Sequence, residues 1–145
     1  MEKEALFQRL TATRQELQAA SGGLYAPPRL IAVTKTRPAS SFLSLTEMEQ
    51  WDIGENRVQE IVEKLPEIQG KFNIHLIGRL QSNKVKYIIN HVSMIHSLDR
   101  LSLAQEIDRQ GQKNDRCMPV LVQVSPAGEP QKGGIAPESV EAFLR

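Results

Sequence analysis

Lys35 is the residue whose type and position most invite chemistry. It follows directly on Leu30-Ile31-Ala32-Val33-Thr34, a short apolar, β-branched run of the kind that forms a buried strand. α/β folds place their sites at the C-terminal ends of such strands. Ile31, Val33 and Lys35 share a strand parity, so the lysine is expected on the same face as two core side chains. Partial desolvation there would favour the neutral amine, the nucleophilic form. The alternative is an ammonium that snorkels off the strand end into water. Residue physics by itself leaves both open.

Two further strand ends carry polar groups. Gly54-Glu55-Asn56 sets a small residue and then an amide at a strand mouth. His75-Leu76-Ile77-Gly78-Arg79-Leu80 runs into Gln81-Ser82-Asn83-Lys84, and a glycine within a strand often marks a close approach of backbone or ligand. A tightly turned loop capped by Ser82 or Asn83 would explain the second segment equally well. The familiar nucleotide cradles G-x-x-x-x-G-K-[ST] and G-x-G-x-x-G do not occur, and neither do H-E-x-x-H and G-x-S-x-G. His75, His91 and His96 fall on different predicted elements, so no metal site is expected. His91 is expected to serve a helix C-terminus.

The elements that must position these residues form a regular alternation. A helix over residues 2–20 is predicted from Leu6, Leu10, Thr13, Leu17 and Ala20, and Ser21-Gly22-Gly23 ends it. Strands are then expected at residues 30–34, 52–56, 75–80, 92–97 and 119–124. Between them come a weak helix from Pro38-Ala39-Ser40 to Met48, a helix from Arg57 to about Lys64 that breaks near Pro66, one from Lys84 to His91, and one from Arg100 to Gln110 capped by Asp99. A last helix from Pro137 is cut in mid-pattern at Arg145, so a fragment of a longer chain is expected. Such alternation implies an α/β fold with a parallel sheet, because parallel strands need crossover connections. Five βα units suit either an open doubly wound sheet or part of a (β/α)8 barrel, which needs eight.

The chain has 145 residues, 18 Lys+Arg against 17 Asp+Glu, and 40% hydrophobic residues. That length and balance fit one domain over residues 1–145 and exclude disordered and collagen-like classes. The formal charge of +1 argues against a nucleic-acid carrier. Arg79, Lys84 and Lys86 form only a modest basic cluster, which a solvated helix face explains. The lone Cys117 cannot form an internal disulfide and reads as a plain thiol at a strand entrance. With no signal-like start and no membrane-length apolar run, the cytoplasm is expected and the membrane is not.

The motif Ile31-Ala32-Val33-Thr34-Lys35-Thr36-Arg37-Pro38, then Gly54-Glu55-Asn56-Arg57-Val58-Gln59-Glu60, then His75 through Lys84, resembles the pyridoxal phosphate homeostasis protein family. Ile95-His96-Ser97-Leu98-Asp99, Val122-Gln123-Val124 with Ala127-Gly128-Glu129, and Lys132-Gly133-Gly134 are similar to that family in order and spacing. The resemblance implies the N-terminal part of a TIM-type (β/α)8 barrel like the N-terminal domain of alanine racemase. It implies pyridoxal 5'-phosphate (PLP) as cofactor, carried as a Schiff base on Lys35, with Asn56 beside it and His75 in the site lining. The implied role is intracellular PLP homeostasis without amino-acid turnover, with PLP-dependent apo-enzymes as recipients. The alternative is a PLP-dependent racemase or decarboxylase of the same fold. The family's phosphate-binding serine and glycine residues and its pyridine-facing arginine have no counterpart in these 145 residues. The resemblance implies a monomer, whereas an unclosed sheet would expose edges and an apolar face and so favour self-association.

Overall fold

The computed structural model describes residues 2–23, 26–38, 41–126 and 133–145. The order is α1 (Glu2–Ala20), β1 (Ala32–Val33), α2 (Phe42–Glu47), β2 (Asp52–Glu55), α3 (Val58–Ile68), β3 (Asn73–Leu76), a 3₁₀ segment (Ser82–Tyr87), β4 (Met94–Leu98), α4 (Leu101–Lys113), β5 (Val120–Val122), a 3₁₀ turn (Pro137–Ser139) and α5 (Val140–Leu144). All neighbouring strands pair in parallel, in the order β1-β2-β3-β4-β5. That order decides between the two architectures. A doubly wound sheet reverses direction at a switch point, whereas a strictly sequential parallel order is the winding of a (β/α)8 barrel. The chain forms five consecutive units of such a barrel.

One face of the sheet packs against the helices. Ile53, Ile74, Leu76 and Ile95 are fully buried there, against Phe42 and Leu45 of α2, Ile61 and Ile68 of α3, and Leu103 and Ile107 of α4. The opposite face is open at its edges among the described residues, with Val33 53% and Leu121 48% exposed, while His75 between them is 1% exposed. The shared parity of Ile31, Val33 and Lys35 therefore points away from the helix-covered core, which corrects the expected partial desolvation. Lys35 itself is exposed.

Local differences have local causes. α3 continues through Pro66 to Ile68, because burial of Ile61 and Ile68 at a seven-residue spacing holds its last turn to the core. The helix expected over residues 84–91 is instead the 3₁₀ segment, whose three-residue turn brings Val85 and Ile88 onto one side, both fully buried. β3 ends at Leu76, so Gly78 lies in the following loop. A Cβ there would collide with the Asn56 backbone, so the close approach is real and the partner is backbone. Asp99 does not cap α4; Arg100 occupies the N-cap and Asp99 accepts its guanidinium at 2.5 Å. The 3₁₀ segment ends at Tyr87 rather than at His91, and the ring Nδ1 of His91 is buried with no hydrogen-bond partner among the described residues. The expected helix start at Ala39 and Ser40, and the motif residues Ala127, Gly128, Glu129 and Lys132, lie outside the described residues.

Candidate functional site

β1 and β2 pair Ala32 with Ile53 and Val33 with Gly54, so Lys35 and Asn56, each two residues further on, stand at the C-terminal ends of adjacent strands. Thr34 is buried toward the helix layer, and alternation sends Lys35 to the other side. The Lys35 amine makes no hydrogen bond or ion pair with any described residue, and neither does the Asn56 carboxamide. Both functional groups are available to a ligand.

Behind Lys35 lies a polar network that sequence reasoning missed. Thr34 Oγ1 donates to Glu55 Oε1 at 2.6 Å, and Lys64 Nζ donates to the same oxygen at 2.7 Å and to the Thr34 carbonyl at 3.1 Å. Glu55 is fully buried and Lys64 nearly so. Glu60 Oε2, 3.7 Å from Lys64 Nζ, accepts the Thr36 backbone N–H at 2.9 Å. That hydrogen bond, aided by the nearby Lys64 and Arg57 charges, holds the Glu60 carboxyl below its ordinary pKa. Thr36 has φ 63°, a left-handed conformation that a β-branched residue avoids. The residues on both sides of Lys35 are thus clamped by α3, and the strain at Thr36 is held by Glu60. The Glu60-Lys64 spacing reads in sequence as a surface i,i+4 pair. Only packing shows that the lysine turns inward.

His75 lies one rung deeper than Asn56, paired with Gly54, and is 1% exposed. Its Nε2 is 3.1 Å from Asp52 Oδ1 and its Nδ1 is 2.9 Å from His96 Nε2. A carboxylate only accepts, so His75 Nε2 carries a proton toward Asp52, and the proton between His75 Nδ1 and His96 Nε2 is carried by one of the two rings. Burial, and then the neighbouring His75, lower the His96 pKa below 6.5. The structure therefore brings Lys35 and Asn56 together at the strand ends and sets His75 beneath them with both ring nitrogens engaged. Among the described residues no cluster of His, Cys, Asp and Glu is arranged to hold a metal.

A cleft of about 660 Å³ opens among the loops after β2, β3 and β4, lined by Asn56 itself and by Arg57, Arg79, Lys84 and Arg100 with Gln59 and Ser82. Its wall depends on Gly78: the close approach to Asn56 brings the β2 and β3 loops together, and Ser97 Oγ donates to the Gly78 carbonyl at 2.7 Å.

The fold and the strand-end lysine define the class: a segment of a parallel (β/α) barrel with an exposed lysine just past the end of its first strand. The chain is a homologue of the pyridoxal phosphate homeostasis proteins. It is 40% identical over 117 residues to the protein of that name from Aquifex aeolicus, covering 80% of this chain and 51% of the relative. With the Pseudomonas aeruginosa protein of the same name it shares 36% identity over 136 residues, covering 93% of this chain and 59% of the relative. PipY of Synechococcus elongatus, solved with PLP bound, superposes with a TM-score of 0.74 at 32% identity, covering 89% of this chain and 61% of PipY. The chain spans about half to three fifths of the length of these relatives. No family model matches the sequence. No helix among the described residues is long and apolar enough to cross a membrane.

Proposed function

We propose that this chain holds PLP through Lys35 as part of intracellular PLP homeostasis, without turning over amino acids. The observation that carries this reading is the unpartnered Lys35 amine at a strand end, beside the unpartnered Asn56 carboxamide and backed by the Thr34–Glu55–Lys64 network. When bound, PLP supplies an aldehyde that a neutral lysine amine attacks. Lys35 provides that amine, and the clamp on Thr34 and Thr36 limits the arc it can sweep. Asn56 can orient a polar substituent with its amide. His75 supports the floor from below, where its engaged nitrogens keep the ring fixed. Homologues carrying the pyridoxal phosphate homeostasis name, and the PLP-bound PipY, favour this cofactor over others.

The non-catalytic part of the proposal rests on acid–base geometry. Racemisation needs proton donors and acceptors on opposite faces of the reacting carbon, each contributing roughly 10²–10⁴-fold. Lys35 could serve one face; His75 and His96, the neighbouring titratable rings, are engaged with Asp52 and with each other. The same reading takes apo-enzymes as recipients and the cytoplasm as compartment. The test is to add PLP, reduce with borohydride and map the labelled peptide. Wild type is expected to give a visible band and a label at Lys35, both absent in Lys35→Ala with far-UV circular dichroism unchanged. A unique label elsewhere in the variant would overturn the assignment. Saturable amino-acid racemisation or decarboxylation lost in Lys35→Ala would transfer the chain to an enzymatic role.

A further inference from the structure

Every charged residue lining the cleft at Asn56 is a cation: Arg57, Arg79, Lys84 and Arg100. Their carboxylate neighbours do not balance them. Asp99 alone faces two guanidiniums, Arg100 at 2.5 Å and Arg79 at 3.8 Å, and Glu60 lies 4.0 Å from Arg57. Lys84 pairs with no carboxylate among the described residues; its ammonium sits 5.6 Å from the Tyr87 ring centroid. Arg100 is already fixed in place, donating to the Leu80 carbonyl at 2.9 Å and to Ser82 Oγ at 3.2 Å. That leaves Lys84 and the largely exposed Arg57 and Arg79 with donors to spare. Val58 and Gln59, the first residues of the 11-residue α3, also line the cleft, and the N-cap Arg57 gives no side-chain cap to that helix. Their free N–H groups add to the positive potential.

We propose that this cleft is a binding site for a small phosphate ester of nucleotide size, which shares Asn56 with the proposed cofactor site but does not include Lys35. Phosphate is matched by converging guanidinium and ammonium donors. The volume of about 660 Å³ is that of a small-molecule pocket rather than of a single ion. A concave cleft lined by four cations fits a compact ligand better than the extended stripe that tracks a nucleic-acid backbone.

The test is calorimetric titration of the whole chain with adenosine 5'-monophosphate, inorganic phosphate, adenosine and a single-stranded RNA oligonucleotide. Monophosphate is expected to bind best, phosphate more weakly and adenosine not at all, with affinity falling as salt rises. Lys84→Gln and Arg57→Gln are each expected to weaken binding about tenfold, and Lys35→Ala to leave it unchanged. Arg57 is 79% exposed at its side chain, so its variant keeps the test decisive should Lys84→Gln fail to fold. Equal binding of adenosine and its monophosphate, unaltered affinity in the folded variants, or no saturable binding would overturn the site. Loss in Lys35→Ala would merge it with the proposed cofactor site, and tighter Lys84-dependent binding of RNA would reassign it; either outcome overturns the proposal. Because the readout is independent of Lys35, its failure leaves the PLP reading standing.

Discussion

Replacing Lys64 by methionine removes one partner of the ion pair that backs Lys35 and nearly conserves volume. In the folded chain Glu55 Oε1 accepts from Lys64 and from Thr34, while Glu55 Oε2 has no hydrogen-bond partner. The Glu55 side chain is 0% exposed and that of Lys64 11%. Lys64→Met therefore leaves a buried carboxylate with one hydroxyl donor and no counter-charge. Breaking a buried pair from one side costs about 3–5 kcal/mol, a large share of the ~5–15 kcal/mol that holds a domain together. With a urea m-value of roughly 2 kcal/mol/M, the midpoint should fall by about 2 M. Glu55→Gln/Lys64→Met removes both charges and keeps an amide oxygen for Thr34, so it should recover most of the loss. Borohydride trapping of PLP at Lys35 should slow in the single variant and recover in the double. If Lys64→Met falls within about 0.5 kcal/mol of wild type, as surface substitutions do, or the double is no more stable than the single, the pair does not support the Lys35 segment as argued.

Three further outcomes are expected. His96 has a lowered pKa, so its neutral form is favoured in the folded state; stability should decline as pH falls from 6.5 through the lowered value. Urea midpoints across that range should show the decline in wild type and a flatter profile in His96→Gln. Thr36→Gly should raise stability by about 1 kcal/mol by relieving the left-handed conformation at φ 63°, and denaturation showing a loss of that size would refute the strain. Gly78→Ala should cost about 1–3 kcal/mol, because the added methyl meets Asn56 backbone that cannot swing away. It should also reduce phosphate-ester binding in the adjoining cleft.

Much of the framework is local and could be read from the chain. The run Ile31–Thr34 and the β-branched Val120–Val122 mark strands, Gly22 and Gly23 mark the end of α1, and Ser-, Asp- and Pro-containing connections mark the crossovers. Such features depend on residues a few positions apart, so sequence alone established a parallel α/β alternation with Lys35 and Asn56 near strand ends. Helix starts were less legible: Gln81 and Arg100 take N-cap positions without side-chain caps, where Ser82, Asn83 and Asp99 have the better intrinsic chemistry. Tertiary structure decided what local pattern could not. Strand order depends on which edges pair across gaps of 20 residues or so, and only the sequential order separates barrel winding from a doubly wound sheet. The inward turn of Lys64 depends on Glu55, nine residues away, being buried beneath it. The engagement of His75 depends on Asp52 and His96 arriving from the neighbouring strands. The cationic cleft exists only because the loops after three strands end at the same edge of the sheet. Proximity along the chain determines which elements form, whereas the partners of a buried charge or an imidazole are set by register and packing between elements.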